Sequence, residues 1–364
     1  MENSGKKIRV LVVDDSAFMR VAISKMMEKE PRIEVIGTAR NGAEGIEKIK
    51  QLKPDLVMMD IEMPVMDGLK ALEIVMKEMP LPVIMISSLT EQGADATFKA
   101  LELGAVDYIP KAAKSSIDLD IHKIAEQLRL KVISLGSRPP VLYRAPVPKQ
   151  FPAVNRTLNP VSRPQLSQQC HVVALGISTG GPLALQNMLP DIPADISAGI
   201  LIVQHMPPTF TGPFARRLDG LCQIHVKEAE DHDLIEPGHA YVAHGGIHMK
   251  LKSERNGLAL RIHQDPQPDD LLFVPSVDVM MLSLMENYKG NVLGVIMTGM
   301  GSDGLKGMTR IREKGGVTIA QDKESCVIYG MPKACVDNQI IDHILPLGEI
   351  AGQIAYYTNG TQTN

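Results

Sequence analysis

Ile8-Arg9-Val10-Leu11-Val12-Val13-Asp14-Asp15-Ser16-Ala17-Phe18-Met19-Arg20-Val21-Ala22-Ile23-Ser24-Lys25-Met26-Met27 is the stretch that decides the fold of the first part of the chain. Its first six residues are a β-branched, apolar run that stops at two carboxylates. Beyond them Phe18, Ala22, Ile23, Met26 and Met27 recur at helical spacing and predict one buried helix face. A strand that runs through a polar turn into a helix is half of a βα unit. The pattern repeats outward: Glu34–Ala39, Asp55–Met59, Val83–Ser87 and Val106–Ile109 read as strands, and Ile117, Ile121, Ile124 and Leu128 as a further helix face. Five strands in this alternation predict a doubly wound α/β domain on a five-stranded parallel sheet, residues 1–134, with functional groups at the carboxyl ends of the strands.

Residues 135–168 break the pattern. Seven prolines fall between 139 and 164 among Arg, Gln, Ser and Asn, which predicts a semi-stiff, proline-rich linker. After it, His171–Gly176, Gly199–His205, Tyr241–Ala243, Val292–Thr298 and Val317–Ala320 are nearly continuous apolar runs, the mark of strands buried on both faces. Gly181–Leu189, Thr211–Leu218, Ser276–Glu286 and Gly304–Lys314 read as helices. Residues 169–364 therefore form a second α/β domain with a mostly parallel sheet, and the segment from about Lys227 to His263 reads as hairpin-like.

The 364 residues are 44% apolar and 22% charged, the balance of a folded protein. Net charge is −4, and residues 169–364 carry 14 Lys and Arg against 21 Asp and Glu. An acidic second domain without a Trp in the chain argues against nucleic acid as partner, since duplex binding needs a basic face and single strands need aromatic platforms. No apolar run approaches the ~18 residues of a membrane helix, and the start MENSGKKIRV lacks a signal core, so a cytoplasmic protein without membrane insertion is expected. Cys170, Cys222, Cys326 and Cys335 form no metal or redox pair and read as buried thiols.

In the first domain the strand ends bring together Asp14, Asp15, Asp60, Ser87 and Lys111. Three clustered carboxylates repel one another, and a hard divalent cation such as Mg²⁺ relieves this. Asp60 then suits a nucleophile toward a phosphodonor, with Lys111 pairing with the product and Ser87 donating a hydrogen bond to it. Each Asp taken singly also fits a helix N-cap. Together VVDDS (12–16), MMDIEMPVMDG (58–68), ISS (86–88) and YIPK (108–111) resemble the receiver domain of two-component response regulators. That resemblance implies a flavodoxin-like fold, phosphorylation of Asp60, and Mg²⁺ held by Asp14, Asp15, Asp60 and the Glu62 backbone carbonyl. Ala112 stands after Lys111 where receivers often have Pro.

In the second domain Gly176-Ile177-Ser178-Thr179-Gly180-Gly181 matches G-x-S-x-G between a strand and a helix, the setting of an exposed serine nucleophile beside helix N–H groups. A glycine-rich anion cradle is the other reading of the same turn. His205 at a strand end offers the base a serine needs, and Asp303, in a glycine-rich turn after another strand, the carboxylate that orients the imidazole. The order Ser, His, Asp differs from the Ser, Asp, His of α/β-hydrolases. The histidines at 171, 225, 232, 239, 244, 248 and 263 are weaker candidates and receive no role, and the spacing of His239, His244 and His248 fits no standard zinc motif.

GISTGG (176–181), QHMPPTFTGPFARRL (204–218), VPSVDVMM (274–281), MTGMGSDG (297–304) and QDKESCVIYGMP (321–332) resemble the chemotaxis protein-glutamate methylesterase family (CheB). The resemblance implies a Ser178, His205, Asp303 triad, with Thr179 and the Met300 backbone N–H near the oxyanion and no cofactor for ester hydrolysis. It also implies γ-methyl glutamyl esters, and certain glutamines, of methyl-accepting chemoreceptors as substrate, a chemotaxis histidine kinase as phosphodonor, and relief of inhibition when Asp60 is phosphorylated. A response regulator whose second domain only binds, or a nucleotide-binding domain, are the competing readings. The first lacks a basic helix-turn-helix and the second a G-x-x-x-x-G-K-[ST] motif. Phe273-Val274, where the family commonly has a basic pair, and His244-Gly245-Gly246 depart from the pattern, and are expected to bear on receptor recognition rather than on the triad.

Overall fold

The computed structural model describes residues 6–111, 119–136, 171–255, 257–263 and 273–359. These fall into two compact units divided between Ala145 and Pro146. The proline-rich segment 139–164, Ala112 and Ile117 lie outside the described residues, as do the side chains of Ile121 and Ile124.

The first unit runs β1 (Ile8–Val13), α1 (Ala17–Glu28), β2 (Ile33–Ala39), α2 (Gly42–Leu52), β3 (Leu56–Asp60), α3 (Gly68–Glu78), β4 (Val83–Ser87), α4 (Glu91–Glu102), β5 (Asp107–Pro110) and α5 (Leu119–Gly136). The five strands are parallel in the order β2-β1-β3-β4-β5, the flavodoxin-like arrangement. Helices α1 to α4 each begin on a side-chain oxygen, of Ser16, Asn41, Asp67 and Thr90, that accepts a first-turn N–H. These caps stop the helices close to the strand ends and keep the connecting loops short. The helical stripe of α1 is narrower than its spacing predicts. Ile23 and Met27 are buried, but Phe18 is 77% exposed, because the first turn of α1 projects past the edge of the core.

The second unit holds β6 (Val172–Ile177), α6 (Gly181–Met188), β7 (Gly199–Gln204), α7 (Pro208–Asp219), β8 (His225–Glu228), β9 (His239–Val242), β10 (His248–Glu254) and β11 (Gly257–His263). It continues through α8 (Val277–Asn287), β12 (Val292–Ile296), α9 (Leu305–Glu313), β13 (Val317–Gln321), α10 (Met331–Asp337), β14 (His343–Leu345) and α11 (Leu347–Asn359). Its seven-stranded sheet has the order β14-β13-β12-β6-β7-β9-β8, and every pairing in it is parallel. The chain leaves β6 toward β7 on one side and later returns to β12 on the other. The carboxyl ends of β6, β7 and β12 thus flank the point where strand order reverses, the usual place for a ligand crevice in such sheets.

The expectation of a hairpin from Lys227 to His263 holds for β10 and β11, which pair antiparallel through Glu254 and Gly257. It fails for the segment before them. His225–Glu228 and His239–Val242 are parallel neighbours in the main sheet, because the loop between them lets the chain re-enter in the same direction. Cys326 and Cys335 are buried as expected, Cys222 is only half-buried, and Cys170 lies outside the described residues. Among the described residues no helix is long and apolar enough to cross a membrane.

Candidate active site

Ser178 follows β6, His205 follows β7 and Asp303 lies in the loop between β12 and α9, so three parallel strands deliver three side chains to one crevice. Ser178 Oγ is 3.1 Å from His205 Nδ1, and His205 Nε2 is 2.8 Å from Asp303 Oδ2. A carboxylate only accepts hydrogen bonds, so Nε2 carries the proton and Nδ1 presents its lone pair to the serine hydroxyl. The His205 side chain is 5% exposed, and the base meets little water except where substrate would enter.

The backbone explains why this turn is rich in glycine. Gly180, two residues after the serine, has φ 78°, a left-handed conformation that starts α6 without a side-chain cap. A Cβ at Gly181 would overlap the Gln204 amide, and one at Gly299 would press on Ser178 Cβ and Met331 Sδ. Ser178 N–H donates to Thr298 O at 2.9 Å, and Thr298 Oγ1 donates to Thr179 O at 2.9 Å, which ties the nucleophile turn to the end of β12. Thr179 Oγ1 is buried without a hydrogen-bond partner among the described residues. Met300 follows Gly299, whose lack of a side chain lets the loop lie against Ser178.

Asp303 is held by more groups than its sequence neighbours reveal. Ser276 Oγ donates to Oδ1 at 2.8 Å, Val277 N–H to Oδ2 at 2.8 Å and Asp278 N–H to Oδ1 at 3.0 Å, so the carboxylate sits on the N-terminus of α8. Burial works against its charge, but the His205 hydrogen bond and these N–H groups outweigh it and hold the carboxyl below the usual carboxylate value. His248, assigned no role from sequence, is buried, and its Nδ1 accepts the Ser276 N–H at 3.1 Å. Gln204 also escaped notice: its amide donates to the carbonyls of Ser178 and His205, both at 3.1 Å. Ser276 was legible as a serine at a helix start. Gln204 and His248 carried no such signal, because the Ser178 carbonyl and the Ser276 N–H they meet are distant from them in sequence.

One expectation is overturned. The departure at Phe273 does touch the triad: its ring stacks on the His205 imidazole with centroids 4.2 Å apart and planes inclined by 6°. The segment before α8 must approach Asp303 to supply Ser276 and Val277, and this carries Phe273 onto the neighbouring base. The second departure also lies close, since a Cβ at Gly245 would overlap the backbone of Met206, Pro207 and Pro208.

The first unit gathers Asp14, Asp15 and Asp60 so that one ligand atom from each lies within 4.8 Å of the others. Asp14 Oδ2 is buried without a hydrogen-bond partner among the described residues, which suits a carboxylate oxygen shaped for a cation. Lys111 Nζ is 2.7 Å from Asp60 Oδ2, and Glu62 reaches the same carboxylate through its backbone N–H. Burial pushes the Asp60 carboxyl up to about 6; Lys111 opposes this, and the Asp14 charge adds to it. Burial also weighs against the Lys111 charge, but Asp60, Asp14 and Asp15 together raise its value. A Cβ at Gly68 would overlap the Asp60 carbonyl, so the MDG turn closes only with glycine there. The Ser87 hydroxyl is not turned to Asp60. It donates to Gly93 O at 3.0 Å and accepts from Thr97 Oγ1 at 2.7 Å, on α4.

Comparison with known proteins places these two sites in a family context. Residues 173–354 match the CheB methylesterase family and residues 10–120 the response regulator receiver domain. The chain is 46% identical over 361 residues to a "Protein-glutamate methylesterase/protein-glutamine glutaminase 1" of Geobacter sulfurreducens, covering 98% of this chain and 99% of the relative. It is 48% identical over 366 residues to a protein of the same name from Oleidesulfovibrio alaskensis, covering 95% and 98%. A relative from Lawsonia intracellularis is 47% identical over 355 residues, covering 95% and 98%.

Proposed function

The chain belongs to the CheB methylesterase family, and from that membership we propose that it is a serine hydrolase that demethylates glutamate γ-methyl esters on the cytoplasmic helices of chemoreceptors, deamidates specific glutamines there, and is activated by phosphorylation of Asp60. The observation that carries the reading is the unbroken line from Ser178 Oγ through both nitrogens of His205 to Asp303.

As substrate binds, Ser178 Oγ attacks the ester carbonyl carbon while His205 Nδ1 takes the hydroxyl proton. The imidazolium so formed faces Asp303, already ionised and fixed by α8. The developing oxyanion meets the Thr179 N–H at the start of α6, with the Met300 N–H as the second donor. His205 returns the proton to the leaving oxygen, and methanol departs. Water then attacks the acyl-enzyme with His205 again as base, which releases a glutamate side chain and restores Ser178. A glutamine follows the same course with ammonia leaving. These proton transfers need no cofactor.

In the receiver, Asp60 accepts a phosphoryl group from a chemotaxis histidine kinase. Asp14, Asp15, Asp60 and the Glu62 carbonyl would hold Mg²⁺, which neutralises phosphoryl oxygens when bound. Lys111, now hydrogen-bonded to Asp60, pairs with the product, and Ser87 donates to it after leaving Gly93 and Thr97. Such partners and substrates locate the protein in the cytoplasm, with no nucleic acid or membrane-inserted segment in its work.

The test is release of methanol from methylated receptor membranes with and without a small phosphodonor. The parent enzyme releases methanol faster with the phosphodonor, and a Ser178→Ala variant releases none. Release by that variant within tenfold of the parent rate overturns the reading.

A further inference from the structure

Both ring nitrogens of His205 are engaged in the plane of the imidazole, Nδ1 at Ser178 and Nε2 at Asp303. Only the two faces of the ring remain, and Phe273 closes one of them, nearly coplanar at 4.2 Å. Two neutral aromatic rings gain little from lying face to face, because their quadrupoles favour offset or edge-on contact. A cation over the negative face of a phenyl ring is attracted at this distance. The stack therefore favours the imidazolium over the imidazole, and the imidazolium exists only once Ser178 has lost its proton. An interaction stronger in the transition state than in the ground state is one that raises turnover.

The support is held on its C-terminal side. Gly246 N–H donates to Val274 O at 3.0 Å, and Ser276, three residues after the phenylalanine, is fixed by Asp303 and His248. The carboxylate that sets the edge of the imidazole thus also anchors the segment that covers its face.

We propose that Phe273 is a positioning residue for the ester hydrolysis, whose ring holds His205 in the orientation that receives the Ser178 proton and stabilises the cation formed there. The proposal rests on the reading of His205 as general base.

The experiment compares Phe273→Leu and Phe273→Tyr with the parent in the full-length chain, measuring methanol release from methylated receptor membranes across pH. Phe273 is half-buried, so leucine preserves bulk without opening a core cavity. We expect leucine to lower kcat about tenfold, equivalent to about 1.4 kcal/mol, with KM unchanged. The acidic limb of its pH–rate profile should move to lower pH, since the cation has lost its aromatic partner, and tyrosine should restore both rate and limb. Leucine within twofold of the parent overturns the proposal. So does a loss confined to KM, or a slower kcat with an unmoved limb and no rescue by tyrosine. A His205→Ala control separates the two readings: if it keeps parent activity, the base assignment has failed, whereas an inactive control beside an unaffected leucine variant rejects the role of Phe273 alone.

Discussion

Asp60 and Asp303 are both buried aspartates delivered by parallel strands to the carboxyl edge of a sheet, yet their surroundings push them in opposite directions. Asp60 is 1% exposed, shares its pocket with Asp14 and Asp15, and has the Lys111 ammonium and one backbone N–H against it; burial lifts its carboxyl to about 6. Asp303 faces His205, the Ser276 hydroxyl and two N–H groups at the start of α8, and is held below the ordinary value despite its burial. Burial alone does not determine the charge of a carboxylate. The number and sign of the groups that replace water determine it. A raised, crowded carboxylate gains from a cation or a modification, and a saturated one is suited to stay ionised while a neighbouring imidazole takes on charge.

The largest effect should come from the group that Asp303 serves. Ser178→Ala is expected to lower methanol release by ~10⁴–10⁶, the range for a triad nucleophile, with an unchanged melting curve because no core cavity opens. Activity within tenfold of the parent removes Ser178 as nucleophile.

Next, the two aspartates are exchanged for asparagine in turn. Asp303→Asn should reduce turnover by about 10³–10⁴, since the amide keeps the shape and loses the charge opposite the imidazolium. Asp60→Asn should leave basal release unchanged and abolish its stimulation by phosphodonor and Mg²⁺. If both variants lose basal activity alike, the functional contrast between the two carboxylates is broken.

Control by the receiver can be sharpened with a fragment starting near Arg163. The linker that the sequence predicts would hold the two units at about millimolar effective concentration, so a weak inhibitory interaction would suffice for the proposed control. The fragment should release methanol about tenfold or more faster than the unphosphorylated full-length enzyme, with activation of this order following from ~1.4 kcal/mol of released inhibition. A fragment no faster than the full chain means that phosphorylation acts by another route.

The smallest effect is on stability, and its sign differs between the aspartates. The folded-state value of Asp60 lies above its ordinary 3.8, so its contribution is fully present below that value and is lost as pH rises through about 6. In metal-free buffer at pH 7.5, Asp60→Asn should therefore stabilise the receiver transition by about 3 kcal/mol, and by less at pH 4. Asp303 has a depressed value, so its contribution is present above 3.8 and is lost as pH falls through the folded value. Asp303→Asn should destabilise at pH 7.5 and converge on the parent in acid. Scanning calorimetry of both variants between pH 2 and 7.5 checks the pair, and slopes of the same sign contradict it.

Much of this was legible in the chain itself. Apolar runs ending in Asp14, Asp60, Ser178 and His205 fixed both the strands and the residues at their ends, because alternation of strand and helix is a local pattern and functional groups of parallel sheets collect at one edge. Departures arose where the signal was short or distant. The strands His225–Glu228 and His343–Leu345 are too brief for periodicity to mark, and whether the first enters a hairpin or the main sheet depends on the loop that follows it. Phe18 obeyed the helical spacing and still lies in solvent, since spacing defines a face but not how far the core extends beneath it.

Sequence determined which residues are available to react: a serine between glycines, a histidine and an aspartate at strand ends, and an acidic trio opposite a lysine. Tertiary structure alone decided how each is tuned. That Nδ1 faces the serine, that Asp303 rests on the α8 N-terminus, that Phe273 covers His205, and that Ser87 is engaged on α4 all depend on groups 10 to 98 residues apart in the chain. Hydrogen bonds and ring contacts act over a few ångströms in space, and no periodicity in a linear sequence records which distant segments the folded sheet brings within that distance.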